Sequence, residues 1–257
     1  MEAMKSKNLN VCLLTVTGSK AYNFATPESD DDQRGFGTQK TLEKMVGLQK
    51  AADESCNSMD GYLWDVTKFT HLALNANTNA LDILFAEPFN VLQCNAVGEL
   101  YRKHRRKFLS THKLYNVLKG YALSEYDIAT GKRKPGDLGA KRKVQVETAG
   151  YSFKSAHHCL RLLLSGIHAF KTGEFKTHWE QTDPAWTILM GLKQGSYTVN
   201  EFENFHVAAM DDFEYQSKGS ILPQEPDFDF VNDMLCYVVG NEVVKMMPSL
   251  QFAEDDL

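Results

Sequence analysis

Two carboxylates with one residue between them, Asp30 and Asp32, follow a Gly18-Ser19 pair after a short turn-rich stretch. On an extended chain alternate side chains share a face, so Asp30 and Asp32 project together and Asp31 projects the other way. A glycine just after a strand lets backbone amides come close to a phosphate, and the serine adds a hydroxyl donor. Two hard oxygen donors beside such a cradle suit Mg²⁺, which bridges protein carboxylates to substrate phosphates. The same Asp-rich run is also the composition of a solvated turn. It is the preceding Gly-Ser that favours a site. Arg34, two further along the same face, either neutralises phosphate charge or pairs with an aspartate. Lys154, His158 and Arg161 are spaced i, i+4, i+7 and form one stripe of a helix. That stripe is either a solvated polar face or a set of groups converging on phosphates if the helix closes over the cleft.

These residues need elements to hold them. Leu9 to Thr17 is a β-branched, apolar run that stops at Gly18 and reads as a buried strand. A second short strand is expected from Asp30 to about Gly37, and a third over Asp60-Gly-Tyr-Leu-Trp64. Val66, Phe69, Leu72, Ala73 and Ala76 then repeat at helical spacing. Asn77-Thr-Asn79 ends that helix, and Asn79-x-x-Asp82 is the expected start of the next. Beyond it strand signals fade. Helices are expected over Glu99 to Tyr121, from Ser152 with Leu160, Leu163, Leu164 and Ile167 on one face, and from the capping box Thr198-x-x-Glu201 to about Met210. Thr130 to Lys143, with three glycines, a proline and six cations, reads as a loop.

The 257 residues, 43% of them hydrophobic, exclude a disordered chain and allow two domains. No apolar run approaches the roughly 20 residues needed to cross a bilayer, and the first residues lack the apolar stretch of a signal peptide, so a cytoplasmic protein is expected. Five cysteines without CxxC spacing argue against a disulfide framework or a structural zinc site. The formal net charge of -5 conceals a segregation. Tyr101 to Lys143 holds thirteen Lys and Arg against three Asp and Glu, leaving fifteen against thirty elsewhere. A basic region of this kind attracts polyanions and is either a contact for the phosphates of an RNA or DNA acceptor or a solvated surface, with Tyr101, Phe108, Tyr115 and Tyr121 either stacking on bases or packing in the core.

Gly-Ser, ten residues, then Asp-x-Asp resembles the signature of the nucleotidyltransferase superfamily that includes polymerase β. More of the chain resembles one bacterial and phage branch of predicted nucleotidyltransferases, in Gly18-Ser19-x-Ala21-Tyr22, Thr26-Pro27-x-Ser29-Asp30-x-Asp32-x-Arg34-Gly35, Lys68-Phe69 and Asn77-x-Asn79-x-Leu81-x-x-Leu84-Phe85. Further matches are Phe108-Leu109-Ser110, Gly120-Tyr121-Ala122, Lys154 with His158-x-x-Arg161-Leu162, and Leu222-Pro223-x-x-Pro226-Asp227. Asn23 departs from the pattern, because many relatives carry glycine there.

The resemblance implies an α+β fold: a mixed-sheet catalytic domain over residues 1–92 and a mainly helical substrate-binding domain over 93–257. It implies metal-dependent transfer of an NMP from an NTP to an acceptor hydroxyl, with Mg²⁺ or Mn²⁺ held by Asp30, Asp32 and a third carboxylate. Asp60 fits the family's acidic position; Asp65, at a strand-to-helix junction, is the alternative. Gly18, Ser19, Arg34, Lys154, His158 and Arg161 are then the expected nucleotide contacts. Two rivals stay open: a protein-modifying nucleotidyltransferase that labels a side-chain hydroxyl, and a catalytically weak regulator that binds nucleotide or nucleic acid.

Overall fold

In the computed structural model of the chain, residues 3–27, 29–56, 61–132 and 140–247 are described. The order begins β1 (Leu9–Val16), α1 (Gly18–Ala21), β2 (Gln33–Gln39), α2 (Leu42–Met45), β3 (Glu54–Cys56), β4 (Gly61–Asp65), α3 (Val66–Leu74), α4 (Thr78–Leu84) and β5 (Val91–Cys94). It continues with α5 (Ala96–Lys103), α6 (Thr111–Ala129), α7 (Ala140–Ala149), α8 (Phe153–Thr172), α9 (Pro184–Gln194), α10 (Val199–Lys218) and α11 (Phe228–Met246). This is the expected α+β architecture, a mixed sheet followed by helices.

The five described strands lie in the order β3-β4-β2-β1-β5, with β2 and β4 parallel and the other pairs antiparallel. Both faces of β1 are covered, which explains its nearly continuous apolar sequence. Leu13 joins the larger buried cluster with Phe36, Phe69 and Tyr101, whereas Leu14 packs on the other side with Met4, Leu9 and Leu63. The register slips between Val11 and Leu13, so that Leu9 and Leu14, five apart, share a face despite the two-residue period. The larger cluster runs on through Leu118, Leu163 and Phe213 to Val238, and β5 crosses the 92/93 division to pair with β1.

Several expectations are corrected. Asp30 and Asp32 precede β2 rather than lying on it, because the β1 ladder ends at Val16↔Gln33, where Gly18 turns the chain away. The strand expected third is the fourth; β3 precedes it in a stretch without pattern, and β5 lies where strand signals seem to fade. Asn77, not Asn79, caps α4, accepting the Ala80 N–H. Ala140 to Lys143, expected as loop, open α7, while 133–139 lie outside the described residues. The capping box at Thr198 is present, but its helix runs on to Lys218. Helices α9 and α11 carry no expectation in the sequence.

Helix α8 packs against α6, α9 and α10. Its stripe of polar residues therefore does not face bulk water: Lys154 is exposed and His158 half-buried, but Arg161 and Ser165 are buried.

Candidate active site

The phosphate cradle is built by one backbone reversal. The Thr17 N–H donates to the Asp32 carbonyl at 2.9 Å, and Gly18 then takes φ +67° and starts the single turn of α1. A Cβ on Gly18 would sit 1.9 Å from Asp32 Oδ2. The position therefore demands glycine twice, for its left-handed backbone and for the carboxylate pressed against it. The Ser19 carbonyl accepts the Phe24 N–H at 2.8 Å, closing the loop. Lys20 pairs with Asp31, and Ser29 Oγ accepts the Thr26 N–H as a turn former. Asp30 is exposed and Asp32 half-buried. An exposed carboxylate two residues from a half-buried one that presses on the Gly18 backbone supplies hard oxygen donors of the kind a divalent cation takes.

Of the two candidates for the third carboxylate, Asp60 lies outside the described residues. Its successor, Gly61, opens β4 opposite Gln33, the successor of Asp32. Asp65 stands at the other end of that ladder, opposite Gly37 and about 13 Å along the strand from Gly61. Both of its oxygens are engaged: Oδ1 caps α3 by accepting the Thr67 N–H at 2.9 Å, and Oδ2 accepts Gln39 Nε2 at 2.7 Å. Among the described residues no three His, Cys, Asp or Glu stand together as a metal-holding group.

A cationic wall faces the cradle from the helices. The Arg161 guanidinium carbon lies 3.9 Å from the centroid of the Tyr22 ring, and its buried Nη1 has no hydrogen-bond partner among the described residues. Burial pushes the Asp82 carboxyl on α4 up, and the positive charges of Arg161 and Arg34 oppose that shift. Arg34 itself donates to Asn79 Oδ1, so its described partner is an amide rather than an aspartate. Sequence reasoning takes Asp82 only as a capping signal, whereas it is the carboxylate that balances two of the wall's cations. His158 Nδ1 lies 3.7 Å from Glu125 Oε1, and its ring meets Tyr121 edge-on at 5.0 Å.

At the α8 N-terminus Lys154 adjoins Lys193 of α9. Burial, and then the Lys154 charge, lower the Lys193 amine. Among the described residues no carboxylate lies within ion-pair distance of either lysine. The neighbouring His157 is pushed down to about 3 by burial and stays neutral, with Nδ1–H donating to the Leu189 carbonyl at 2.9 Å. Its ring meets Phe24 edge-on at 4.8 Å.

Four contacts from residues 178–193 clasp Ala21, Asn23 and Phe24 in the loop after Gly18. His178 Nδ1 lies 2.9 Å from the Ala21 carbonyl, Asn23 Nδ2 donates to the Trp179 carbonyl at 3.0 Å, Trp186 Nε1 donates to the Asn23 carbonyl at 2.9 Å, and Lys193 donates to the Phe24 carbonyl. No local sequence signal marks them. Asn23 sits at φ +67°, a left-handed backbone that asparagine and glycine enter more readily than other residues. Asn23→Ala is expected to cost about 2 kcal/mol, through backbone strain and the lost Trp179 bond, and Asn23→Gly only about 1 kcal/mol. Urea unfolding of the two variants checks the order.

Among the described residues, most cations between Arg102 and Lys119 are tied into the fold. Arg105 and Arg106 share Glu174, Lys107 pairs with Asp227 and Lys119 with Glu214, while Arg102 donates to the Ala86 carbonyl. Tyr101 and Phe108 are fully buried in the core and stack on no base; Tyr115 is partly buried, and Tyr121 is 38% exposed. No described helix is long and apolar enough to cross a membrane.

A Gly-Ser turn pressed against Asp32 at the end of a mixed sheet, with Arg161 stacked on Tyr22 beside it, is the arrangement expected of a nucleotidyltransferase. The family model RlaP, described as the RNA repair pathway DNA polymerase beta family, matches residues 1–236. The chain belongs to this family, which is polymerase β-like and nucleotidyltransferase in kind. No curated protein and no solved structure matches the chain.

Proposed function

We propose that the protein transfers an NMP from an NTP to an acceptor hydroxyl, with an RNA end as the acceptor. The observation that carries this reading is the contact between Gly18 and Asp32, which seats a carboxylate directly against a phosphate-binding turn. Mg²⁺ or Mn²⁺ bound by Asp30, Asp32 and Asp60 would supply positive charge for the attacking and leaving oxygens. The residues do the rest. The acceptor oxygen forms a bond to the α-phosphorus as the α–β bridging P–O bond breaks, and pyrophosphate departs. Ser19 and the backbone amides of α1 hold the departing group, while Lys154, Lys193, His158 and Arg161 offset its charge. Asp60 orients the acceptor hydroxyl and takes its proton. The residues 1–92 supply the carboxylates and the 93–257 part supplies the wall.

The family's description, RNA repair, supports RNA over a protein or small-molecule acceptor. Because so many cations between Arg102 and Lys119 already have partners, the RNA contact is assigned to the exposed Lys103 and to the 132–143 segment rather than to the whole basic region. The test is incubation with each α-³²P-labelled NTP, Mg²⁺ or Mn²⁺, and total RNA, beside an Asp30→Ala/Asp32→Ala double variant. Label entering RNA only with the aspartates intact is the expected result. Label entering protein would move the acceptor to a side chain, and nucleotide binding without any transfer would overturn the enzymatic reading.

A further inference from the structure

Helix α6 carries an oddity at its centre. Gly120 is exposed within a 19-residue helix, and a Cβ built on it would meet nothing within 4 Å. A glycine inside a helix sacrifices stability relative to alanine, and no described neighbour packs so closely that it forbids a methyl group. The next residue, Tyr121, is a large ring left 38% exposed, while Leu114, Leu118 and Ala122 of the same helix are wholly buried and Leu123 is exposed as well.

The surroundings of Tyr121 are those of the active site. Burial raises its phenol, Glu125 raises it further, and Arg161 and Arg34 lower it while Asp82 raises it. Arg34 is two residues beyond Asp32, and an extended pair of residues spans about 7 Å. His158, set against the buried Glu125, meets the Tyr121 ring edge-on at 5.0 Å and fixes its tilt. A π face thus opens beside the phosphate-binding cations, with bare backbone next to it.

We propose that Tyr121 and Gly120 form a nucleobase shelf: a base stacks on the Tyr121 ring and its sugar passes close to the Gly120 backbone. Stacking on a tyrosine is tolerant of base identity, because every base offers a π face. The shelf's place beside Arg34 and Arg161 ties the base to a phosphate-bearing ligand, either the incoming NTP or the terminal nucleotide of the acceptor. This inference deepens the nucleotidyl-transfer reading and rests on it for the identity of the ligand.

Fluorescence of 2-aminopurine, which stacking quenches, tests the shelf without requiring turnover. The full-length protein is titrated with 2-aminopurine ribonucleoside triphosphate in one arm and with a short RNA ending in 3′-terminal 2-aminopurine in the other; tripolyphosphate, which has no base, is the control ligand. Quenching in the first arm assigns the shelf to the NTP, and quenching in the second assigns it to the acceptor. Tyr121→Leu is expected to abolish the quench and weaken the stacked ligand about tenfold or more, leaving tripolyphosphate within twofold. Tyr121→Phe keeps the ring and most of the quench. Gly120→Ala is the sharper variant: it gains helix propensity and raises the unfolding midpoint, yet weakens the same ligand. A purely structural glycine would not give that combination.

The shelf is overturned if neither fluorescent ligand is quenched by the wild-type protein, if Tyr121→Leu leaves the quench intact, or if that variant weakens tripolyphosphate as much as the nucleotide. If the quench depends on Tyr121 but no label is ever transferred, the shelf stands and the enzymatic reading falls.

Discussion

Asp32→Asn is expected to lower nucleotidyl transfer by about a thousandfold, equivalent to about 4 kcal/mol of transition-state stabilisation, while the protein stays folded. The substitution keeps shape and removes charge. The backbone bond from Thr17 to the Asp32 carbonyl survives, and the amide still lies against Gly18, so the unfolding free energy should move by no more than about 1 kcal/mol. What is lost is a hard anionic oxygen next to the phosphate turn, which an amide does not replace as a ligand for a divalent cation. Labelled-NTP transfer and urea denaturation, measured on one preparation, separate the two effects. Retention of more than a tenth of the wild-type rate would remove Asp32 from the centre.

Arg161→Met has the second large effect, and it acts on stability and catalysis together. Methionine preserves the apolar stem but removes the guanidinium from above Tyr22 and leaves Asp82 without its principal counter-charge. A loss on the order of 3 kcal/mol is expected at neutral pH, together with a rise of tenfold or more in the KM for NTP. The pH dependence has a definite sign. Asp82 already holds its proton more tightly in the folded protein than in the unfolded chain, because burial outweighs Arg161, Tyr22 and Arg34. Its charged form therefore destabilises the fold at pH values above the raised folded pKa, and that penalty fades as the pH falls toward the ordinary aspartate range. Removing Arg161 raises the folded pKa further. The stability gap between variant and wild type should thus narrow on acidification from neutrality, as thermal midpoints at several pH values would show; a gap that widens contradicts the assigned role of Asp82.

How much of this is legible in the sequence depends on the range of each signal. β1, α3 and α8 are readable because their apolar residues repeat over eight or more positions, and the Thr198–Glu201 box announces α10 directly. β3 and β5 have three and four residues, too short for a period to emerge. α11 escapes notice because Phe228, Tyr237 and Val244 are exposed on it, which blurs any apolar stripe. The spacing anticipates that the Gly18 turn and Asp32 meet, but not that the strand begins only at Gln33, after both aspartates. The buried state of Arg161 is not legible: its stripe looks solvated until α6, α9 and α10 are seen around it. Asp82 hides in a cap pattern, and the groups holding Ala21, Asn23 and Phe24 leave no local trace at all.

That last feature has a consequence for the order in which the molecule becomes competent. The residues joined by the clasp are 156 to 169 positions apart, among the longest loops the chain has to close, whereas β1 and β2 pair across a short connection. Long-range closure comes late and slowly relative to local pairing. On the ribosome the aspartates and the Gly-Ser turn emerge first, and Trp186 and Lys193 leave the exit tunnel more than 150 residues later. A nascent chain therefore carries Asp30 and Asp32 with the loop beside them unfastened until residues 178–193 have followed, and the proposed activity cannot begin before then.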